Sequence, residues 1–296
     1  MMTGTVTAAA NQAVKKKESA AAAVLKRLKN NKTAMFGMIV FILLALSAIF
    51  APILTPYEYA TMDLKCAFQG PSAAHWFGTD DLGRDILTRI LYGGRYSLTI
   101  GIISIAFALV LGVLIGTVAG YFGGMVDNLI MRFLDIFQSI PGLLLTIAIS
   151  AALGSGFDKT ILALSISRVP SFARVLRASI MRVRDQEYLE AAESIGCSRM
   201  RMIMRYVLPN SLAPLIVEAT MGVANTVLTA ASLSYIGLGV QPPTPEWGAM
   251  LSGAKGYIRD YSYMLTFPGL FIALTVLCLN MLGDGLRDAL DPRLKN

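Results

Sequence analysis

Residues 34–54 form an unbroken run of 21 uncharged residues, and residues 98–121 form another of 24. An α-helix needs about 20 mostly apolar residues to cross the roughly 30 Å hydrocarbon core of a bilayer. Three further stretches of similar length follow. Residues 133–153 carry one charge, Asp135; residues 211–239 carry one, Glu218; residues 264–283 carry none. Only 15% of the 296 residues are charged and mean hydropathy is +0.59. A soluble domain carries about 25% charged residues. The chain therefore reads as an all-α membrane protein, with the lipid bilayer as its first partner.

A sixth span over residues 161–180 is less apolar, because it contains Arg168, Arg174, Arg177 and Pro170. Charge bias decides for it. With this span included, 18 Lys and Arg residues fall on the side of the termini and 7 on the other, leaving Arg168 within the span. Basic residues concentrate in cytoplasmic loops, so six spans with both termini in the cytoplasm are expected. The net charge of +7 then reports topology, and nucleic-acid binding is not expected.

This topology divides the chain. A mostly disordered cytoplasmic tail covers 1–33, the first span 34–54 and an external loop 55–97. A transmembrane core covers 98–284, with spans at 98–121, 133–153, 161–180, 211–239 and 264–283. A short cytoplasmic tail covers 285–296. The first apolar run starts too late for a signal peptide. In the external loop, residues 85–96 read as an amphipathic helix at the outer interface, with Ile86, Leu87, Ile90 and Leu91 on one face. Pro242, Pro243 and Pro245 disfavour helix in the last outer loop, and Trp247 suits a membrane interface.

The cytoplasmic loop at 184–210 is the most informative segment. Residues 188–195 form a helix that Gly196 ends, as a glycine just past a helix does. Ser198 has N-cap chemistry for a second helix over 199–208, which Pro209 breaks. The product is a stiff protrusion exposing Ala191 and Ala192, small residues that let a partner approach closely.

Glu190-Ala191-Ala192, followed by Gly196 and by Leu208-Pro209, resembles the "EAA" loop of permease subunits of bacterial ATP-binding-cassette importers. Residues 77–85 with 92–98, residues 241–248, and residues 283–288 with 290–293 resemble stretches of the dipeptide/oligopeptide branch of that family. The similarity points to the second, C-type permease of a pair. It implies the type I importer permease fold, with Glu190, Ala191, Ala192, Gly196, Leu208 and Pro209 coupling to a separate ATPase. It also implies a homologous second permease, two ATPase subunits and an external substrate-binding protein, which Asp80, Arg84 and Trp247 would face. Peptides are the expected substrates. A nickel complex, glutathione or a sugar are the alternatives within the class, and a secondary transporter lies outside it.

No catalytic role is expected. Residues 154–160 (GSGFDKT) superficially suggest a phosphate loop but lack the glycine before the lysine. ATP and magnesium are therefore expected on partner ATPase subunits, with no cofactor on this chain. His75, the one histidine, has no clustered ligands, so no metal site is expected, and Cys66, Cys197 and Cys278 are too dispersed for a disulfide framework. Gly112, Gly116, Gly120 and Gly124 recur every four residues, a spacing for close helix packing. Arg168, Asn225 and Gln138 are the candidates for lining a pathway, since polar groups within spans usually face the bundle or water.

Overall fold

A computed structural model describes residues 20–290, with side chains from residue 24 onward. Thirteen α-helices occur among the described residues: α1 (Ala20–Asn30), α2 (Lys32–Ile49), α3 (Ala51–Leu54), α4 (Ile86–Phe122), α5 (Gly124–Gln138), α6 (Gly142–Leu153), α7 (Phe157–Arg184), α8 (Glu187–Ser194), α9 (Arg199–Met202), α10 (Leu208–Ser211), α11 (Ala213–Tyr235), α12 (Trp247–Ala254) and α13 (Tyr263–Leu290). No strand occurs among them.

Of these, α2, α4, α11 and α13 are long and apolar enough to cross a bilayer. The 28 residues of α7 give it a length of about 42 Å at 1.5 Å per residue, but its serines and arginines lower its hydropathy. Residues 133–153 depart from expectation. Instead of one span, the chain breaks after Gln138 and bends by 85° before α6. Pro141 at the N-cap of α6 supplies the reason: proline disfavours helical backbone in the residue before it, so a helix ends there. With 12 residues, α6 is about 18 Å long and cannot cross the hydrocarbon alone. The nine residues upstream of the expected span, 124–132, belong to α5 and carry Asp127 and Arg132.

The N-terminal segment also departs. Residues 20–30 are helical, and Leu28 and Ala34 pack with Ala289 of α13. A Cβ on Gly285 would collide with Ala34, so α13 and the start of α2 touch closely. Residues 1–19 and 291–296, including part of the C-terminal motif and most of the expected disordered tail, lie outside the described residues.

The centre of the bundle is the pairing of α4 with α7. Gly112, Gly116 and Gly120 face Phe172, Ala173 and Ile180. A Cβ at Gly116 would lie 2.6 Å from the Ala173 carbonyl oxygen, and one at Gly120 would lie 3.0 Å from the Ile180 Cβ. Gly124 leaves the pattern: it begins α5 at φ +55° with open space around it. The residues expected as a separate interfacial helix are instead the first turns of α4, N-capped by Asp85 through the Thr88 amide. Ile86, Ile90 and Leu91 are buried in the chain rather than turned to the interface.

Candidate functional site

The loop at 184–210 is a helix, a glycine turn and a second helical segment. Glu187–Ser194 forms α8, with Glu187 and Glu190 in the first turn, where negative charge is favoured. Gly196 ends the segment at φ +77°, a left-handed backbone that costs a residue with a Cβ roughly 1–2 kcal/mol. The Gly196 amide donates to the Glu193 carbonyl at 2.9 Å, and the Cys197 amide to the Ala192 carbonyl at 3.1 Å. These two bonds satisfy carbonyls that the end of α8 would otherwise leave open.

One face of this unit belongs to the bundle. Leu189 joins a core cluster with Phe172, Leu176, Ile180, Met202 and Val207, and Ala192 is also buried. The Tyr121 hydroxyl contacts the Met202 sulfur at 3.5 Å. The protrusion is therefore rigidly joined to α4 and α7. Of the two alanines expected to be exposed, only Ala191 is. Ala192 faces inward because i and i+3 positions share a helix face, and Leu189 fixes that face as the buried one.

The opposite face is solvent-exposed and carries Glu190, Ala191 and Glu193. It also presents large apolar groups that charge and small-residue patterning did not single out: Ile195 is 86% exposed and Met200 69% exposed. Their signal in the sequence was only an apolar residue on each side of a glycine turn.

Ser198 occupies the N-cap position of α9 but makes no capping hydrogen bond. Pro209 does not break the second segment as expected. The chain passes from α9 through a π turn, Ile203–Val207, directly into α10. A proline ring clashes with the carbonyl four residues earlier in a regular helix, and a wider π turn ahead of it accommodates the ring. Leu208 is half-buried against the inner core and Pro209 is exposed. The Asn210 side-chain amide donates to the Tyr206 carbonyl at 2.7 Å.

Asp80, Arg84 and Trp247, expected to face an external partner, are instead buried in the frame of the loops that precede α4 and α12. All three are less than one-tenth exposed. The Asp80 carboxylate accepts from Arg84 Nε at 2.7 Å and from the amides of Leu82 and Arg84, each at 3.0 Å. Its other neighbour is Arg89 Nε at 3.5 Å. An aspartate accepting its own turn's amides stabilises that turn, and the two guanidiniums neutralise its buried charge. Trp247 is a core residue rather than an interfacial one. Its indole reaches the α4 backbone, and Glu246 beside it N-caps α12 through the Ala249 amide at 2.9 Å. Burial pushes the Glu246 carboxyl above the ordinary carboxylate range. His75 is tethered as well, with Nδ1 2.9 Å from Asp85 Oδ1. No group of three metal-ligating side chains occurs among the described residues.

Within the bundle, a recess of about 310 Å³ opens where the α5–α6 break meets α7 and α11. Gln138, Arg168, Ser171, Thr146 and Thr229 supply its polar lining. The structure thus brings Gln138 and Arg168 together, whereas Asn225 is exposed on α11 outside that lining. Asp135 pairs with Arg174 at 2.7 Å, and Asp127 accepts a two-pronged bond from Arg177. Both ion pairs tie α5 to α7 on the N-terminal side of the break.

A family model described as "Binding-protein-dependent transport system inner membrane component" matches residues 112–296, and one described as "N-terminal TM domain of oligopeptide transport permease C" matches residues 19–71. The dipeptide transport system permease protein DppC of Alkalihalophilus pseudofirmus is 48% identical over 271 residues, 92% of this chain and 89% of its own length. The di/tripeptide transport system permease protein DppC of Pseudomonas aeruginosa is 43% identical, covering 90% of each chain. The glutathione transport system permease protein GsiD of Pectobacterium atrosepticum is 43% identical over 91% of this chain and 89% of its own. Among solved structures, an inward-facing MetNI methionine ABC transporter chain superposes with a TM-score of 0.57 at 20% identity, over 68% of this chain and 96% of that one.

Proposed function

Since the chain belongs to the family of binding-protein-dependent transport-system inner membrane components, we propose that it is the C-type permease of an ATP-driven importer of dipeptides or oligopeptides. It forms half of the translocation route, and a homologous permease forms the other half. Two ATPase subunits bind ATP and magnesium and carry out hydrolysis; this chain binds no cofactor and performs no covalent chemistry. A binding protein delivers substrate from outside. The chain crosses the bacterial cytoplasmic membrane six times with both termini inside.

The observation that carries this reading is the α8 protrusion. It is anchored through Leu189, Ala192 and Met202, while Glu190, Ala191 and Ile195 stand free on its outer face. An exposed isoleucine beside a rigid turn is what a partner's groove would bury. The groove is assigned here to the ATPase because a rigid link to α4 and α7 can pass a movement at the cytoplasmic face into the bundle. The peptide substrate is supported by the names of the relatives, of which two described above are permease proteins of dipeptide and di/tripeptide transport systems. The glutathione permease relative transports a substrate that is itself a modified tripeptide.

Two experiments test the reading. Reconstituted alone, the chain should give no peptide uptake with or without ATP, whereas the complete complex should show ATP-dependent uptake. Uptake by the lone chain driven by an ion gradient would replace this reading with a secondary transporter. For topology, single cysteines introduced at Lys159 and Arg259 in a chain with serine at the three native cysteines should label only from outside, and one at Ile195 only from inside.

A further inference from the structure

Arg168 and Glu218 are two opposite charges within the bundle that the protrusion and the outer loops do not use. Arg168 lies in the middle of α7 and lines the recess at the α5–α6 break. Glu218 lies on α11, one contact beyond the lining: its Oε1 accepts from the Ser171 hydroxyl at 3.1 Å, and Ser171 itself lines the recess. No ion pair within 4.0 Å closes between these two side chains. This contrasts with Arg174–Asp135 and Arg177–Asp127, six and nine residues further along α7, where the pairs close directly.

Charged side chains within a span are costly and usually mark a functional site. A pair serving only to neutralise itself gains most by closing to hydrogen-bond distance. Here Glu218 is instead held by Ser171, and Arg168 is directed to an open recess. The recess, about 310 Å³, lies at the small end of the roughly 300–1,000 Å³ range of small-molecule pockets. It carries amide and hydroxyl groups of Gln138, Thr146 and Thr229 suited to a peptide backbone. A dipeptide presents one carboxylate and one ammonium, at most roughly 7 Å apart when extended.

We propose that Arg168 and Glu218 form a split-charge site for a zwitterionic peptide in transit, with Arg168 taking the terminal carboxylate and Glu218 the α-ammonium group. The inference rests on the peptide-import reading above. Guanidinium suits the carboxylate because it can donate two parallel hydrogen bonds. The Ser171 hydroxyl occupies one oxygen of Glu218 and leaves the other to accept.

The test uses the assembled complex in proteoliposomes, with radiolabelled alanyl-phenylalanine as probe. Uptake and ATP hydrolysis are measured for wild type, Arg168→Met, Glu218→Gln, Arg168→Lys and the double variant R168M/E218Q. Losing one charge-assisted contact should lower kcat/KM for uptake about tenfold or more in R168M and in E218Q. R168K, which keeps the charge but not the two parallel hydrogen bonds, should fall between wild type and R168M. The double variant leaves no buried charge unpartnered, so it decides the matter even if the single variants assemble poorly. It should be no faster than the slower single variant while still hydrolysing ATP. Recovery of wild-type uptake by the double variant would overturn the site, because the charges would then serve only each other. So would wild-type uptake in both single variants. Absence of dipeptide uptake by the wild-type complex would overturn the import reading, and this site with it.

Discussion

The indole Nε1 of Trp247 donates to the carbonyl oxygen of Ile90 at 2.9 Å, joining the last outer loop to the first turns of α4. The ring is 2% exposed and lies over Gly94, where a Cβ would stand 3.2 Å from the ring's Cζ2. The adjacent amide of Trp247 donates to Ser97 Oγ at 3.2 Å. One residue thus clamps the loop ahead of α12 to a long helix.

Truncating that clamp has a definite size. Trp247→Ala should destabilise the folded chain by about 3–5 kcal/mol, the usual range for emptying a buried aromatic site. Trp247→Phe keeps most of the packing and removes the N–H donor, for about 1 kcal/mol. Thermal unfolding of the purified chain in detergent checks the order. Equal effects from the two variants would mean that packing around the ring contributes little.

Glu246 adds a pH dependence. Its carboxyl is raised by burial, against the hydrogen bonds from Ser97 and the Ala249 amide that favour the charged form. Below the unfolded value, near 4.3 for glutamate, both states hold the proton and its contribution is fully present. As pH rises toward the folded value, the unfolded chain releases the proton first, so stability falls with pH across that window. Glu246→Gln should flatten this part of the stability profile measured by thermal unfolding between acid and neutral pH. An unchanged slope would place the titration on another group.

Gly116 is the tightest test of the central helix pair. A Cβ there meets the Ala173 carbonyl oxygen at 2.6 Å, and backbone cannot rotate away. Gly116→Val should cost about 1–3 kcal/mol or more by overpacking. Gly253→Ala is the control: its Cβ would meet nothing within 4 Å, and alanine is favoured over glycine in a helix by up to about 1 kcal/mol. Comparable unfolding temperatures for the two variants would contradict the close α4–α7 approach.

Gly196 separates backbone strain from docking. No atom lies within 4 Å of its Cβ position, so inside the chain a substitution there meets only the strain of φ +77°, about 1–2 kcal/mol. Gly196→Ala carries that strain alone. Gly196→Asp adds a carboxylate at a helix C-terminus, where negative charge is disfavoured, on the face assigned to the ATPase. Both should insert normally. Uptake by the assembled complex should fall modestly for G196A and severely for G196D, with Glu190→Ala milder than G196D. Wild-type transport by G196D would remove the coupling role from this loop.

The sequence alone determined what rests on local chemistry and on the bilayer. Long uncharged runs at 34–54 and 98–121 admit little besides membrane helices, because hydrocarbon tolerates neither charge nor unpaired backbone. The glycine at 196 announced a helix end because few other residues accept that conformation. The four-residue glycine spacing announced a close helix contact, and Gly112, Gly116 and Gly120 make it. Tertiary structure decided whatever depends on which surfaces meet. Trp247 and Asp80 carry the chemistry of an exposed outer surface, yet α4 folds back against both loops and buries them. Ala192 differs from Ala191 only by one residue of helical rotation, and Leu189 set which of the two points inward. The bend at Ser139–Pro141 was written in the proline, but its 85° angle and the pairing of Asp127 and Asp135 with Arg177 and Arg174 of α7 belong to the assembled fold. The meeting of Gln138 with Arg168, thirty residues apart in sequence, exists only because that bend opens a recess. A periodic pattern records which face of a helix is apolar; it holds no record of what that face will touch.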